Sequence, residues 1–188
     1  MSNKELLKAA IEKHCVTYAP EGETFKLSAG GETTWYIVGR NLTFRGDAQE
    51  LIAHCILEEI TGTPAADFDT VGGLELGAVP VGVAIAGVTK KNSFAVRKQP
   101  KDHGDTNSVL AGTINKDDKV LVVEDTVTTG TSLMKAVEAV LANGNEVVGA
   151  ACLVDRADTL GKELAEKNIP FFAVLNATDF NQPLDKFE

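Results

Sequence analysis

The stretch that decides the fold runs from Lys119 to Met134 and reads KVLVVEDTVTTGTSLM. Its first part, Val120 to Val123, is an unbroken aliphatic run, which predicts a parallel strand buried on both faces. The adjacent acids Glu124 and Asp125 follow this strand, and a turn of small hydroxyl residues around Gly130 opens a helical pattern. Backbone N–H groups at such a turn attract a phosphate, and carboxylates accept hydrogen bonds from hydroxyl groups. The stretch therefore predicts a sugar-phosphate site.

An ordinary strand–turn–helix unit explains the same stretch if Thr128, Thr129 and Thr131 only cap the helix. Turns of this kind are common in α/β sheets, but the paired acids and the density of hydroxyl groups favour a ligand site. The stretch argues against a P-loop, because that pattern needs a lysine directly after the last glycine, and Thr131 follows Gly130 here.

The composition is that of an acidic globular protein. Its 188 residues suffice for one substantial core, and the length favours one domain, with room for a small appendage. A formal net charge of −9 argues against a broad nucleic-acid-binding face. Cys15, Cys55 and Cys152 lack metal-ligand spacing, which predicts buried thiols in a reducing compartment. We expect no signal peptide and no membrane association, so the cytoplasm is the expected location.

Two capped helices are predicted in the first third of the chain. Ser2 and Glu5 form a capping-box pattern for a helix over residues 2–14. Asp47 and Glu50 have the same spacing and predict a second helix with Asp47 at its start. Aromatic residues between them, at 35–36, are more typical of a packed core than of a surface that stacks on a planar ligand.

Strands and helices alternate from Phe68 to Leu175, which predicts an α/β fold with a mostly parallel sheet and helices on both faces. Ligands in such sheets collect at the carboxyl ends of the strands. Four pairs stand at predicted strand ends: Gly72-Gly73, Arg97-Lys98, Glu124-Asp125 and Asp155-Arg156. The glycine pair, placed at a strand-to-helix bend, is explained equally well by tight packing. For the last pair, a local ion pair or helix cap competes equally with ligand contact.

A polar segment from Arg97 to Asp118 separates two of these strands. It has little regular pattern, and three of the 18 basic residues, including Lys98 and Lys101, fall within five positions, followed by His103. A charge run is usually a solvated surface, but a long irregular segment between strands is typical of a lid or a binding loop. We therefore expect an anion-binding lid.

These motifs resemble those of a known family. Residues 120–131, VLVVEDTVTTGT, resemble the phosphoribosyl-pyrophosphate signature of the type I phosphoribosyltransferases. Residues 97–104, RKQPKDHG, resemble the catalytic loop of the orotate phosphoribosyltransferase branch. Segments at 25–30, 72–77 and 154–156 also match in order, so the resemblance covers nearly the whole chain. It implies a single domain over residues 1–188, with a small N-terminal hood (about 15–45) on a core (about 46–180).

The resemblance implies that ribose 5-phosphate is transferred from phosphoribosyl pyrophosphate to orotate, which gives orotidine 5′-monophosphate and pyrophosphate in pyrimidine synthesis. Mg²⁺ is the implied cofactor, held mainly by the substrate and water, with no direct protein ligand. Members of this family are homodimers in which the lid reaches the neighbouring subunit's site.

The resemblance also implies individual roles. Lys101, His103 and Asp125 are the implied catalytic residues. Thr128, Arg156 and Tyr36 are the implied contacts to orotate, with the Arg156 guanidinium on the orotate carboxylate. The residues implied in binding phosphoribosyl pyrophosphate are Gly72, Gly73, Arg97, Lys98, Lys101, His103, Glu124, Asp125, Thr126, Val127, Thr128, Thr129, Gly130, Thr131 and Ser132.

Five positions depart from the family pattern. Ser28 stands where a lysine is frequent, Gly31 where an arginine is frequent, and an acid is missing around Val38. Glu75 and Leu76 occupy a loop in which a lysine is frequent. These positions bear on contacts to the base and to pyrophosphate.

Two alternatives remain open at this point. A phosphoribosyltransferase for another base, such as a purine in salvage, fits the altered N-terminal segment. A non-catalytic regulator that senses phosphoribosyl pyrophosphate would keep the pocket, but the charged lid argues against it because sensing needs no clamp on a leaving group.

Overall fold

The structure is a computed structural model that describes residues 1–26, 31–99 and 109–185. Its α-helices are Asn3–His14 (α1), Arg40–Thr43 (α2), Gln49–Ile60 (α3), Ala78–Thr89 (α4), Thr131–Ala142 (α5) and Leu160–Glu166 (α6). Its strands are Val16–Tyr18 (β1), Phe25–Lys26 (β2), Glu32–Thr33 (β3), Trp35–Ile37 (β4), Thr70–Leu74 (β5), Asn92–Val96 (β6), Leu110–Gly112 (β7), Lys119–Val127 (β8), Glu146–Asp155 (β9) and Phe171–Asn176 (β10). Short 3₁₀ helices occupy Gly46–Ala48, Pro64–Asp67 and Ala177–Phe180.

The main sheet has six strands in the order β10-β9-β8-β5-β6-β7. All neighbouring strands are parallel except β6 and β7, which form an antiparallel edge. The predicted mostly parallel sheet is therefore confirmed. The prediction of an irregular segment from Arg97 to Asp118 is wrong in part, because β7 lies within it. This strand is three residues long, which is too short to show a strand pattern in the sequence. Its pairing with β6 defines it as a strand.

Helices cover both faces of the sheet, as predicted. Along β8, Leu121 and Val123 pack into a core cluster with α1, α3 and α4, whereas Val120 and Val122 pack into a second cluster with α5 and α6. All four side chains are fully buried. Full burial of such a side chain contributes roughly 1.5–3 kcal/mol, so this strand holds the two layers together.

Two short antiparallel ribbons lie outside the main sheet near the N-terminus. Strand β1 pairs with β4, and β2 pairs with β3. Trp35 is fully buried and its ring lies 5.6 Å from the ring of Phe180, near the end of the chain. The ribbons are therefore packed against the C-terminal segment.

The capping predictions had different outcomes. Ser2 caps α1 with a complete capping box, in which the Glu5 N–H donates to Ser2 Oγ and the Ser2 N–H donates to Glu5 Oε2. The prediction that Asp47 caps the next helix is wrong, since α3 begins at Gln49 without a side-chain cap. Asp47 instead forms a two-point contact with Arg45. The Arg45 Nη2 lies 2.6 Å from Asp47 Oδ2, and the Arg45 Nε donates to Asp47 Oδ1 at 3.0 Å.

Gly72 and Gly73 do not lie at a strand-to-helix bend, and that placement was wrong. Both are inside β5, which is buried along its whole length. A Cβ on Gly72 would clash with the carbonyl oxygen of Phe94, and one on Gly73 with that of Val123. Close packing requires these two glycines, and the bend follows at residues 75–77.

Within the described ranges, none of the helices is both long enough and apolar enough to cross a membrane.

Candidate active site

A cavity of about 400 Å³ opens at the carboxyl ends of β5 and β8. It is bounded by the strand ends of the main sheet on one side and by the N-terminal ribbons on the other. Its lining residues are Lys26, Tyr36, Ile37, Val38, Gly39, Arg40, Leu74, Glu75, Leu76, Gly77, Lys98, Glu124, Asp125, Thr126, Thr128, Ser132 and Arg156. The predicted convergence of polar groups at this edge therefore occurs at three of the four strand ends.

The acid pair lies at the floor of this cavity. Glu124 is 5 % exposed, and its Oε1 accepts the Asp125 N–H at 3.2 Å. Asp125 Oδ1 accepts the Thr126 N–H at 2.8 Å. Burial, followed by the neighbouring Asp125 charge, raises the pKa of Glu124 to about 9. Burial also raises the pKa of Asp125, although Arg40 opposes that shift. Burial thus favours the protonated form of both acids.

Two glycines leave the space that the Asp125 carboxylate occupies. A Cβ on Gly39 would lie 2.5 Å from Asp125 Oδ2, and a Cβ on Gly77 would lie 2.6 Å from Asp125 Oδ1. Gly39 precedes α2 and Gly77 precedes α4, so two distant segments fix the position of one carboxylate. Gly39 was missed by the sequence interpretation because no local pattern links it to residue 125.

The turn after β8 forms a second cavity of about 390 Å³, beside the first. Gly130 has φ of +78° and precedes α5, whose first turn receives no hydrogen bond from a capping side chain. The capping explanation for the threonines is therefore wrong; Thr129 Oγ1 lies 3.0 Å from Thr131 Oγ1 instead. Free N–H groups and hydroxyls around such a cavity suit an anion. The cavity is lined by Glu124, Thr126, Val127, Thr128, Thr129, Gly130, Thr131, Ser132 and Leu133.

Arg156 lines the first cavity although it is only 2 % exposed. Its Nη2 donates to the carbonyl oxygen of Trp35 at 3.2 Å and lies 2.7 Å from Asp185 Oδ2. The local ion pair with Asp155 is not formed, because Asp155 Oδ1 accepts the N–H groups of Ala157 and Asp158 at 3.1 Å each. Asp155 is a turn cap, and Arg156 faces the cavity.

The two adjacent aromatic residues separate in role. Trp35 belongs to the core, as the sequence pattern favours for both residues. Tyr36 is 44 % exposed and lines the cavity. The Arg156 guanidinium carbon lies 4.9 Å from the centre of the Trp35 ring and 5.9 Å from that of the Tyr36 ring. Tyr36 therefore offers the cavity an aromatic face beside a cation.

The base of the predicted lid joins the same edge of the sheet. The Arg97 N–H donates to the carbonyl oxygen of Val109 at 2.8 Å, which closes the ends of the connecting segment. Lys98 lines the first cavity, and its N–H donates to Glu75 Oε1 at 2.8 Å. Arg97 lines neither cavity. Lys101 and His103 lie outside the described residues, and so does Ser28.

Three charged cavity residues were missed as ligand contacts by the sequence interpretation: Lys26, Arg40 and Glu75. Lys26 is on β2 and lines the cavity. Among the departures, Val38 and Leu76 also line the cavity, and the peptide bond between Glu75 and Leu76 is cis. The cavity thus has three acids, Glu75, Glu124 and Asp125, and four basic residues: Lys26, Arg40, Lys98 and Arg156.

No group of three or more His, Cys, Asp or Glu side chains that could hold a metal ion occurs in the described part of the chain. Glu75, Glu124 and Asp125 are the carboxylates that line the cavity. Mg²⁺ retains several waters and binds through one or two carboxylates together with substrate phosphates. The donor set therefore fits a cation that arrives with its substrate.

A parallel sheet with an acid pair at one strand end, followed by an anion-binding turn, defines a phosphoribosyltransferase. In agreement with this, a phosphoribosyl transferase domain model matches residues 45–176. The chain is 34% identical to the orotate phosphoribosyltransferase of Pyrococcus abyssi over 176 residues. This match covers 94% of this chain and 93% of that protein. It is 41% identical to that of Corynebacterium glutamicum, over 81% of this chain and 82% of the relative. The chain belongs to the orotate phosphoribosyltransferase family.

Solved structures agree with this assignment. The orotate phosphoribosyltransferase of Mycobacterium tuberculosis in complex with 5-phospho-α-D-ribosyl 1-diphosphate has a TM-score of 0.78 and 32% identity, over 96% of this chain and 99% of that chain. An adenine phosphoribosyltransferase from Trypanosoma brucei has a TM-score of 0.67 at 17% identity, which reflects a shared fold alone. The similarity therefore favours the orotate branch over the purine alternative.

Proposed function

We propose that the protein transfers ribose 5-phosphate from phosphoribosyl pyrophosphate to orotate, which gives orotidine 5′-monophosphate and pyrophosphate in pyrimidine synthesis. The observation that carries this proposal is the convergence of an acid pair, an uncapped helix N-terminus and a buried arginine on adjoining cavities. These three features suit the ribose, the 5′-phosphate and the carboxylated base of one reaction.

The sugar phosphate binds between β8 and α5. Residues 126–132 supply N–H groups and hydroxyls to the 5′-phosphate, next to the positive end of the α5 dipole. Glu124 and Asp125 accept hydrogen bonds from the ribose 2′ and 3′ hydroxyls. As positive charge develops at the ribose carbon, the acid pair in its buried setting stabilises the transition state more than the ground state.

The base binds under the N-terminal ribbons. Arg156 presents a planar guanidinium to the planar carboxylate of orotate, and this match gives direction as well as charge. Tyr36 covers one face of the ring, and Thr128 completes the contact from the core side. Lys26 adds a second cation at this wall of the cavity.

The leaving pyrophosphate is stabilised from the lid side. Lys98 is positioned at the cavity by the contact of its backbone N–H with Glu75. Arg97, Lys101 and His103 complete the clamp when the lid covers the substrate and excludes water. Glu124 and Asp125 are the carboxylates that would lie near Mg²⁺ when it is bound with phosphoribosyl pyrophosphate, and the ion would neutralise charge on the phosphates.

The protein acts as a cytoplasmic homodimer in which each lid reaches the partner's site. Mixing Lys101→Ala and Asp125→Asn subunits tests this arrangement. If the lid acts across the interface, a mixed dimer contains one site with both residues intact, and activity returns. Failure to regain activity, when subunit exchange is confirmed by native mass spectrometry, contradicts it.

The reaction itself is tested with purified protein, Mg²⁺ and phosphoribosyl pyrophosphate. Orotate, hypoxanthine, guanine and adenine are offered separately, and loss of each base is followed by its ultraviolet absorbance. We expect orotate alone to be consumed. Consumption of a purine but not of orotate, or tight binding of phosphoribosyl pyrophosphate without turnover of any base, contradicts the proposal.

A further inference from the structure

We propose that Asp185, in the C-terminal segment, is a positioning residue that holds Arg156 in the orientation required for the base's carboxylate. The inference rests on the proposed function, because it concerns the same base subsite. It makes the end of the chain a determinant of base recognition, although residue 185 lines neither cavity.

Asp185 is attached to Arg156 at two points. Its N–H donates to the Arg156 carbonyl oxygen at 2.8 Å, and its Oδ2 lies 2.7 Å from Arg156 Nη2. The exposed fractions of the two side chains are 3 % for Arg156 and 5 % for Asp185. Asp185 Oδ1 also accepts the Thr33 hydroxyl at 3.4 Å. Asp185 is thus held by Arg156, directly after β9, and by Thr33 on the ribbon strand β3.

All polar contacts of the Arg156 guanidinium in the described part of the chain use one nitrogen. Nη2 contacts Asp185, the Trp35 carbonyl oxygen and Thr33 Oγ1, whereas the buried Nε has no hydrogen-bond partner there. Asp185 Oδ2 lies 2.7 Å from Nη2 but also makes no hydrogen bond within the described residues, so charge holds this pair together. Since Arg156 lines the cavity, a carboxylate entering it is the natural acceptor for the Nη1 donors, which make no hydrogen bond to the described residues.

The charges explain why an acid is needed at position 185. Burial lowers the pKa of Arg156, and Asp185 is the main group that opposes this. Without Asp185, a buried guanidinium loses its compensating charge. It would then turn toward the two acids of the ribose subsite, Glu124 and Asp125, which line the same cavity. With Asp185 in place, the pair is close to neutral and offers directional donors, which favours a planar carboxylate over a generic anion.

The test compares Asp185→Ala with Asp179→Ala. Asp179 lies in the same C-terminal segment, where its Oδ2 caps a 3₁₀ turn by accepting the Asn176 N–H at 2.9 Å, and it lines neither cavity. We expect Asp185→Ala to raise the KM for orotate on the order of 10-fold or more, with the KM for phosphoribosyl pyrophosphate changed less than about twofold. Asp179→Ala should leave both constants near their wild-type values. Asp185→Glu, which keeps the charge, should recover part of the orotate affinity.

Three outcomes overturn the inference. Equal increases in both KM values, with a lower melting temperature, would mean that Asp185 acts only on stability. An unchanged KM for orotate would mean that Arg156 holds its orientation unaided. A lower KM for orotate would mean that Asp185 competes with the substrate.

A measurement without substrate separates this inference from the reaction. In ¹⁵N-arginine-labelled protein, the buried Arg156 Nε–H should exchange slowly in the wild type and in Asp179→Ala, and quickly in Asp185→Ala. Slow exchange in all three overturns the inference. If the three proteins show this contrast but the wild type does not consume orotate, the proposed function is contradicted and the inference about Asp185 is not.

Discussion

The two halves of the active site are assembled in different ways. The ribose-phosphate half comes from one continuous segment, in which β8 ends in the acid pair and the following turn opens α5. The base half joins segments that are far apart, since Arg156 and Thr33 are separated by 123 positions and Thr33 and Asp185 by 152. In the proposed function, binding of the ribose phosphate therefore depends on the main sheet, whereas base recognition depends on how the ribbons and the C-terminal segment pack.

We expect the largest effect from a substitution that displaces the Asp125 carboxylate. Gly77→Ala places a Cβ 2.6 Å from Asp125 Oδ1, so the carboxylate must move while the fold is retained. We expect kcat/KM to fall by about 100-fold, because misplacement of a catalytic group by about 1 Å has an effect of that size. Gly87→Ala, within α4, is the control, as its Cβ would meet nothing within 4 Å. Similar losses in both variants would show that displacement of Asp125 is not the cause.

The base half is probed by Arg156→Lys. Lysine keeps the charge but loses the planar fork. We expect the KM for orotate to rise about 30-fold or more, with little change for phosphoribosyl pyrophosphate. Steady-state kinetics with each substrate varied in turn measures the two constants. If both constants rise alike, the division of the site into two halves is wrong.

The ribose-phosphate half is probed by Thr131→Asp. A carboxylate in the first turn of α5 should raise the free energy of unfolding by about 0.3–1 kcal/mol through the helix dipole. The same charge repels a 5′-phosphate, so affinity for phosphoribosyl pyrophosphate should fall. Urea unfolding and substrate titration measure these opposite effects. Thr131→Asn, which adds a similar side chain without charge, is the matched control and should lose much less affinity.

The smallest effect concerns the pH dependence of stability. The pKa of Glu124 is raised from 4.5 to about 9 by burial and by Asp125, so the folded state binds the proton more tightly than the unfolded state. Stability contributed by protonated Glu124 is present below pH 4.5 and is lost as pH rises toward about 9. Over this pH range, the free energy of unfolding should therefore fall further in the wild type than in Glu124→Gln. The difference between the two falls should be about 1 kcal/mol or more. Parallel pH profiles would contradict this.

These contrasts also show what the sequence can predict. The aliphatic run at 120–123 was recognised because burial on both faces leaves a continuous apolar pattern. The sequence also predicts that residues 126–132 lie together at one turn, because they are adjacent, and all seven line the second cavity. Gly39, Lys26 and Asp185 were missed as site residues because their roles depend on neighbours that are distant in the chain. Gly72-Gly73 was misplaced because glycines that permit close strand packing look the same in sequence as glycines at a bend.

The central claim is that the two adjoining cavities hold separable subsites, and calorimetric titration of phosphoribosyl pyrophosphate with Mg²⁺ tests it most directly. We expect Arg156→Lys to bind this substrate as tightly as the wild type, whereas Thr131→Asp binds it at least about 10-fold more weakly, as one unfavourable charge contact of about 1.4 kcal/mol requires. Weakened binding in Arg156→Lys, together with unchanged binding in Thr131→Asp, would contradict the account.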